Sequence, residues 1–361
     1  MDLRSPHHLL VRFRRAAARR FAVGEPKQVV GSATISIHEA ATNILFIRTD
    51  RLGETLLNLP AAAALKTAFP ESSVTFLANP SLTELLSTVP DLDAVIGEPR
   101  ASGPWWWRAV RLACRLRAGR FHIALVSNPR KDLHLAVCLA GIPVRVGYTR
   151  KWAWALTRRV ADRKALGERH EVEYNLDLVK ALGVAVPAVP SYQLPVSPDA
   201  AQEVSQLLRG MSVGEAARIV AVHPWTSNPN KRWPSERFRD LIRHLRRLPG
   251  VVAAVIGGPE EPARACGAAE NPGALDLVGR LSLTQLAAFL RRARVLVSND
   301  SGPVHVAAAV GTPTVALFGT ADPAAGPARW GPWGVGHTVI RKPTMDAISV
   351  EEVLQAVQRY V

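Results

Sequence analysis

The stretch 295–323, V-L-V-S-N-D-S-G-P-V-H-V-A-A-A-V-G-T-P-T-V-A-L-F-G-T-A-D-P, leaves a folding chain few options. An apolar run ends in a tight polar turn, an apolar helical segment opens on proline, and a second apolar run follows. This pattern predicts a buried strand over 295–299, a loop at Asp300, Ser301 and Gly302, a short helix from Pro303, and a strand over 314–319. Proline suits the first helical turn, where its missing N–H has no partner to lose. Asp300 and Ser301 are cap-type residues, and Gly302 lets another group approach the backbone. The positive end of the helix dipole then points out of the carboxyl end of a sheet, a geometry that holds phosphate. His305, in the first turn, offers a donor to the same anion.

On either side of this stretch the strand–loop–helix pattern repeats. Apolar runs at 44–49, 74–78, 94–96, 121–127 and 144–147 alternate with helical segments, and runs at 219–224 and 252–258 resume the pattern. Such alternation predicts an α/β chain with parallel sheets covered by helices on both faces. Pro187, Pro190, Pro195 and Pro198 divide it, because clustered prolines neither continue a helix nor fit a central strand. The expected organisation is a basic extension and linker over 1–42, one Rossmann-like domain over 43–195, a second over 196–345, and a terminal helix over 346–361. A cleft between two such domains is a common ligand site.

Charge narrows the partners. With 45 Lys and Arg against 30 Asp and Glu, the 361 residues carry a formal +15, which favours an anionic substrate or surface. The arginines are spread over helices without zinc-finger spacing or an aromatic RNA-binding signature, so no nucleic-acid partner is expected. Leu9, Leu10, Phe13 and Phe21 among Arg12, Arg14, Arg15, Arg19 and Arg20 describe a basic amphipathic segment able to lie on an anionic bilayer. No apolar run reaches the length of a membrane span. Cys114, Cys138 and Cys266 lie far apart without a C-x-x-C pair, which predicts reduced core thiols in a cytosolic protein.

Two further loops suit the same ligand as the central stretch. In H-P-W-T-S-N-P-N-K-R-W-P (223–234), Thr226, Ser227 and Lys231 follow a buried strand and precede a helix, an arrangement fit for a diphosphate. In T-D-R-L-G-E (49–54), Gly53 permits a sharp turn. Glu54 stands at a helix opening whose dipole favours its ionised form. A carboxylate there can act as general base, with Asp50 the rival on the same loop. Neither a P-loop nor a G-x-G-x-x-G is present, which argues against a P-loop enzyme or an ordinary dinucleotide oxidoreductase. Asp91 and Asp93 read as a turn and not as a metal pair.

These loops, with R-T-D-R-L-G-E-T-L-L-N-L-P-A-A-A-A-L-K and H-E-V-E-Y-N-L-D-L-V-K-A-L-G, resemble glycosyltransferase family 9, the heptosyltransferases of lipopolysaccharide assembly, over about residues 43–340. The resemblance implies a GT-B architecture of two Rossmann-like domains and an inverting transfer without metal or cofactor. It implies an ADP-heptose donor held by the second domain, and a lipopolysaccharide-core-like or other lipid-linked glycan as acceptor. Residue by residue, it places Thr226, Ser227 and Lys231 on the donor phosphates and Ser301, Gly302 and His305 in a second phosphate loop. Asp300 would orient Lys231 or that loop. Glu260, or Glu261 beside it, would take the ribose, and Leu281 would lie near the adenine. Glu54 stands where the family carries a catalytic aspartate, a departure of one methylene. A nucleotide-sugar epimerase of the same fold and a non-catalytic nucleotide or glycan binder are the alternatives.

One run stands outside these motifs. Trp105, Trp106 and Trp107 precede Arg108, Arg111, Arg115, Arg117 and Arg120. Neighbours on a helix are about 100° apart, so three indoles in a row cannot face one core. Indole at headgroup level with arginine on phosphate suits a membrane surface. The expected setting is the cytoplasm, peripheral at the inner face of the cell membrane.

Overall fold

A computed structural model of the chain describes residues 42–99, 102–186, 192–259, 261 and 273–361. The expected basic extension, except its last residue, lies outside the described residues, as do Glu260 and Cys266. The described residues form one compact unit, and among them are two six-stranded sheets. The first comprises β1 (Asn43–Ile47), β2 (Ser73–Ala78), β3 (Ala94–Gly97), β4 (Ile123–Val126), β5 (Val144–Tyr148) and β6 (Arg158–Val160). The second comprises β7 (Arg218–His223), β8 (Val251–Gly257), β9 (Leu275–Val278), β10 (Val295–Asn299), β11 (Thr314–Gly319) and β12 (Thr338–Lys342).

Every pairing is parallel, and the two sheets share one topology: β3-β2-β1-β4-β5-β6 and β9-β8-β7-β10-β11-β12. In each, the strand order reverses between the first and fourth strands, where a doubly wound sheet opens a crevice at its carboxyl edge. The loops carrying Glu54, Lys231 and Ser301 follow β1, β7 and β10, the strands at those two reversals.

Strands covered on both faces must be apolar throughout, and Ile44, Leu45, Phe46 and Ile47 are all fully buried. Phe46 stacks on Phe76 of the neighbouring strand with ring centroids 5.3 Å apart. One buried cluster runs from Ile44 and Phe46 in the first sheet to Leu296 and Val306 in the second half.

Some local expectations are corrected. The helical stretch after β1 divides into Leu52–Leu56 and Leu59–Ala68, with Pro60 in the first turn of the second piece. Cys114 is exposed and Cys138 half-buried, so neither is a core thiol. Asp93 accepts from the Val74 amide at 2.7 Å and pairs with Lys66 at 3.0 Å, which makes it a fastening for β2.

The loop after β7 is clamped at the strand reversal. Asn299, fully buried at the end of β10, accepts from the Trp233 amide at 3.0 Å and donates to the Pro224 carbonyl at 2.7 Å. Trp233 is also fully buried and donates from its indole to the Ile348 carbonyl. The segment between Pro224 and Trp233, which carries Lys231, is therefore held at both ends. Removing the amide of Asn299 orphans two buried backbone groups at about 1–3 kcal/mol each. Asn299→Ala is expected to cost more than about 2 kcal/mol of stability, read as a lower urea midpoint with the slope unchanged. Equilibrium denaturation checks this, and an unaltered midpoint would show that the clamp contributes nothing.

Candidate active site

The carboxyl edges of the two sheets face one cleft of about 1170 Å³. Asp50, Arg51 and Glu54 line it from the loop after β1. Thr226, Ser227 and Lys231 enter after β7, and Asp300, Ser301, Gly302 and His305 after β10. Leu281 lines it with Leu283, Leu286 and Ile256, an apolar wall in the second half. Each residue singled out from the sequence reaches this cleft except Glu260, which lies outside the described residues. Its neighbour Glu261 is present, accepting from the Gly258 amide at 3.0 Å and facing His223 Nε2 at 3.4 Å.

The two candidate acids of the first half differ in their surroundings. Asp50 Oδ2 pairs with Arg48 at 3.2 Å, while its Oδ1 is buried without a partner. Glu54 lies in the first turn of Leu52–Leu56, whose N-cap, Arg51, makes no side-chain cap bond. A carboxylate in a first helical turn is favoured by the helix dipole.

The two halves meet closely here. A Cβ at Gly53 would lie 2.5 Å from His305 Cδ2, and one at Gly302 would lie 3.3 Å from Leu52 Cδ2. Gly53 does not have a positive φ, so it is required by this approach and not by the expected sharp turn. Arg51 also crosses the cleft, donating from Nη1 to Ser227 Oγ at 2.9 Å.

In the second half, Lys231 Nζ lies 2.5 Å from Asp300 Oδ2. Burial raises the Asp300 pKa, Lys231 opposes the shift, and the charge of Glu54 adds to it. Thr226 Oγ1 approaches the Asp300 carbonyl at 3.4 Å, which joins the two phosphate-type loops. Ser301 is a correction. Its side chain does not cap the helix Gly302–Ala309 but turns to Ser298 Oγ at 2.9 Å and His223 Nδ1 at 3.0 Å. Pro303 has no N–H and the Val304 amide bonds the Ser301 carbonyl, so the first turn offers the Gly302 amide and the helix dipole. His305 is buried, and burial, then His170 and Lys231, push its pKa down to about 3. It is a neutral imidazole and brings no positive charge to an anion.

Beneath the cleft, Glu171 is fully buried and ties the halves together. It meets Lys164 at 2.5 Å and Arg48 at 3.7 Å from the first half, and Arg329 at 3.0 Å from the second. Burial alone would raise its pKa, but those three cations hold it below the usual carboxylate range. His170 Nε2 adds a bond to the Gly331 carbonyl at 3.0 Å. Arg51, His223 and this Glu171 cluster were not singled out from the sequence. Arg51 and His223 stand inside the quoted motifs, whereas nothing local marks Arg329 as a partner of a residue 158 positions away.

The model of "Glycosyltransferase family 9 (heptosyltransferase)" matches residues 109–357. The chain belongs to glycosyltransferase family 9. It is 24% identical to lipopolysaccharide heptosyltransferase 3 of Escherichia coli over 294 residues, covering 78% of this chain and 83% of that protein. The solved family 9 glycosyltransferase of Veillonella parvula superposes with a TM-score of 0.79 at 21% identity, covering 88% of this chain and 97% of that one. The E. coli heptosyltransferase WaaC with ADP-2-deoxy-2-fluoro heptose gives 0.68 at 21%, covering 89% and 100%. The fold is GT-B, and the chain is a glycosyltransferase of the heptosyltransferase family.

The burial of His305 has a consequence for stability. Its folded pKa is about 3 against 6.5 for the free side chain, so between those values the unfolded chain binds the extra proton. The contribution is whole above about pH 6.5 and falls by about 1.4 kcal/mol per pH unit below it. His305→Gln should therefore lose stability less steeply than the parent between about pH 6 and 4. Chemical denaturation across that range reads the slope independently of any packing offset; parallel slopes would mean the imidazole takes up its proton in the folded protein.

Proposed function

We propose that this enzyme moves a heptose from ADP-heptose to a hydroxyl of a lipopolysaccharide-core-like or other lipid-linked glycan, with inversion and without a metal ion. The observation that carries the reading is the placement of Glu54. It opens a helix of the first half and bears electrostatically on Asp300, the partner of Lys231, in the second. A general base and a diphosphate clamp on opposite walls of one cleft are what an inverting transfer needs. The base takes the acceptor proton as the hydroxyl attacks the anomeric carbon, and ADP leaves from the other face. Charge developing on the leaving diphosphate would be met by Lys231, the Gly302 amide and the dipole of the helix behind it. Leu281 and its apolar neighbours offer a face for adenine, and Glu261 is the described carboxylate suited to a ribose. The donor seen with WaaC supports an ADP-sugar. The excess of basic residues supports an anionic acceptor at the inner face of the cell membrane. Asp50 is the weaker candidate base, because its Oδ2 is already engaged by Arg48 at 3.2 Å.

Two experiments test this. Glu54→Gln keeps the shape but cannot take a proton, so kcat should fall by about 10²–10⁴ with donor binding nearly unchanged. Lys231→Ala should weaken donor binding as well as kcat, since its charge meets the diphosphate before and during transfer, and Glu54→Asp should retain measurable turnover. Normal turnover by Glu54→Gln beside a dead Asp50→Asn would move the base to Asp50. Acceptor-dependent release of ADP from ADP-heptose distinguishes transfer from epimerisation or simple binding.

The second experiment concerns metal. In this reading the diphosphate charge falls to Lys231 and the helix start. Turnover should survive excess chelator; loss restored by magnesium or manganese would refute that part of the mechanism.

A further inference from the structure

Five tryptophans gather at the carboxyl edge of the first sheet from two elements distant in sequence. Trp105, Trp106 and Trp107 open the helix Trp105–Arg117 after β3, while Trp152 and Trp154 lie in the connection after β5. Trp105 meets Trp152 edge-on with centroids 4.8 Å apart, and Trp152 meets Trp154 at 5.3 Å. Trp106 and Trp107 contact each other at 6.0 Å. Trp106, Trp107 and Trp154 nevertheless remain 37%, 45% and 41% exposed. The helix seats itself on the core through Ala109, Leu112, Ala113 and Leu116, so these indoles are not needed to hold it. Clustered exposed aromatics of this size mark a surface that meets something.

Charge decides what it meets. The helix carries Arg108, Arg111, Arg115 and Arg117 and no acid, and the segment 149–159 carries Arg150, Lys151, Arg158 and Arg159 and no acid. Lys131 Nζ stands 4.4 Å over the Trp105 ring. The neighbouring acids are already engaged: Asp132 with Arg130 and Arg108, Glu98 with Arg130, and Asp162 with Arg150. A second copy docking here would set arginine against arginine, which like-charge repulsion opposes. We propose that this aromatic and basic rim docks the protein on an anionic lipid bilayer, with indoles at headgroup level and Arg111, Arg115 and Lys151 on lipid phosphates.

The strands of a parallel sheet end on one edge, so the loops after β3 and β5 lie along the same edge as the loop carrying Glu54. Docking by the rim turns the first-half side of the cleft toward the bilayer, where a lipid-linked hydroxyl would arrive. The purpose of the rim rests on the function proposed above; the binding itself is measured without it.

The full chain is sedimented with vesicles of phosphatidylcholine alone, of phosphatidylcholine mixed with phosphatidylglycerol, and of the mixture with brominated chains. Binding is expected to the anionic vesicles only, to be released by salt, and to quench tryptophan fluorescence with brominated lipid. The triple variant Trp106→Ser, Trp107→Ser, Trp154→Ser and the double variant Arg111→Gln, Arg115→Gln should each lose about tenfold or more in partitioning. Both should melt like the parent and keep transfer to a water-soluble acceptor. The basic segment before residue 42 stays in every variant, so the loss reads the rim alone. Undiminished binding by the variants, equal binding to neutral vesicles, no quenching of the parent, or a dimer abolished by the tryptophan changes would overturn the proposal. Vesicle binding without ADP release from ADP-heptose would instead overturn the function and leave the rim standing.

Discussion

The arrangement of the cleft depends on one buried carboxylate. Glu171 is shut away from water between Lys164, Arg48 and Arg329. Left without its cations, a charge in that position would cost several kcal/mol. Two of the cations belong to the first half and the third to the second, so Arg329 adds its share only while the halves are together. Arg48 is also the residue that grips Asp50, and Lys164 shares its ammonium with Asn175, which is bonded to Ser127 beneath the same loop. The ion cluster thereby reaches the loop carrying both candidate acids. Burial, opposed by Glu171 and reinforced by Arg48 and Arg329, lowers the Lys164 pKa to about 8.

Above the cluster, steric fit does what charge does below. Two glycines, Gly53 and Gly302, let two helix N-termini approach across the cleft until Gly53 rests against His305 and Gly302 against Leu52. Each terminus brings a positive dipole end toward a common space. The first carries Glu54. The second is paired with the Lys231–Asp300 ion pair, itself held by the Asn299 clamp. A diphosphate entering the space would compete with Asp300 for Lys231, and burial has already made the ionised Asp300 less comfortable. Preorganised donors of this kind need little rearrangement when charge develops, which is the chief electrostatic advantage of a folded site.

Much of this was legible in the chain. The apolar runs that became β1, β2, β4, β7, β8, β10 and β11 are fully covered strands, and burial on both faces leaves an unmistakable pattern. The three loops were readable because helix openings after buried strands use few residue types. Three strands were not expected: β6 (R-R-V), β9 (L-D-L-V) and β12 (T-V-I-R-K). All three are sheet edges, where short and charged sequences are favoured and the hydrophobic signal fades. Ser301 was read as a cap from its type, yet its hydroxyl found Ser298 and His223, a choice made by neighbours from other strands.

By itself, then, the sequence determined what local periodicity and turn chemistry control: two doubly wound halves and three loops at the carboxyl ends of their strands. Only the tertiary structure decided which loop residues share one space and in what state. That Gly53 answers to His305, that Asp50 is held by a cation, that His305 is neutral, and that Trp105 joins Trp152 all depend on contacts between remote segments. Burial and charge pairing are properties of the assembled surroundings, and a linear pattern carries no record of which distant side chain will arrive.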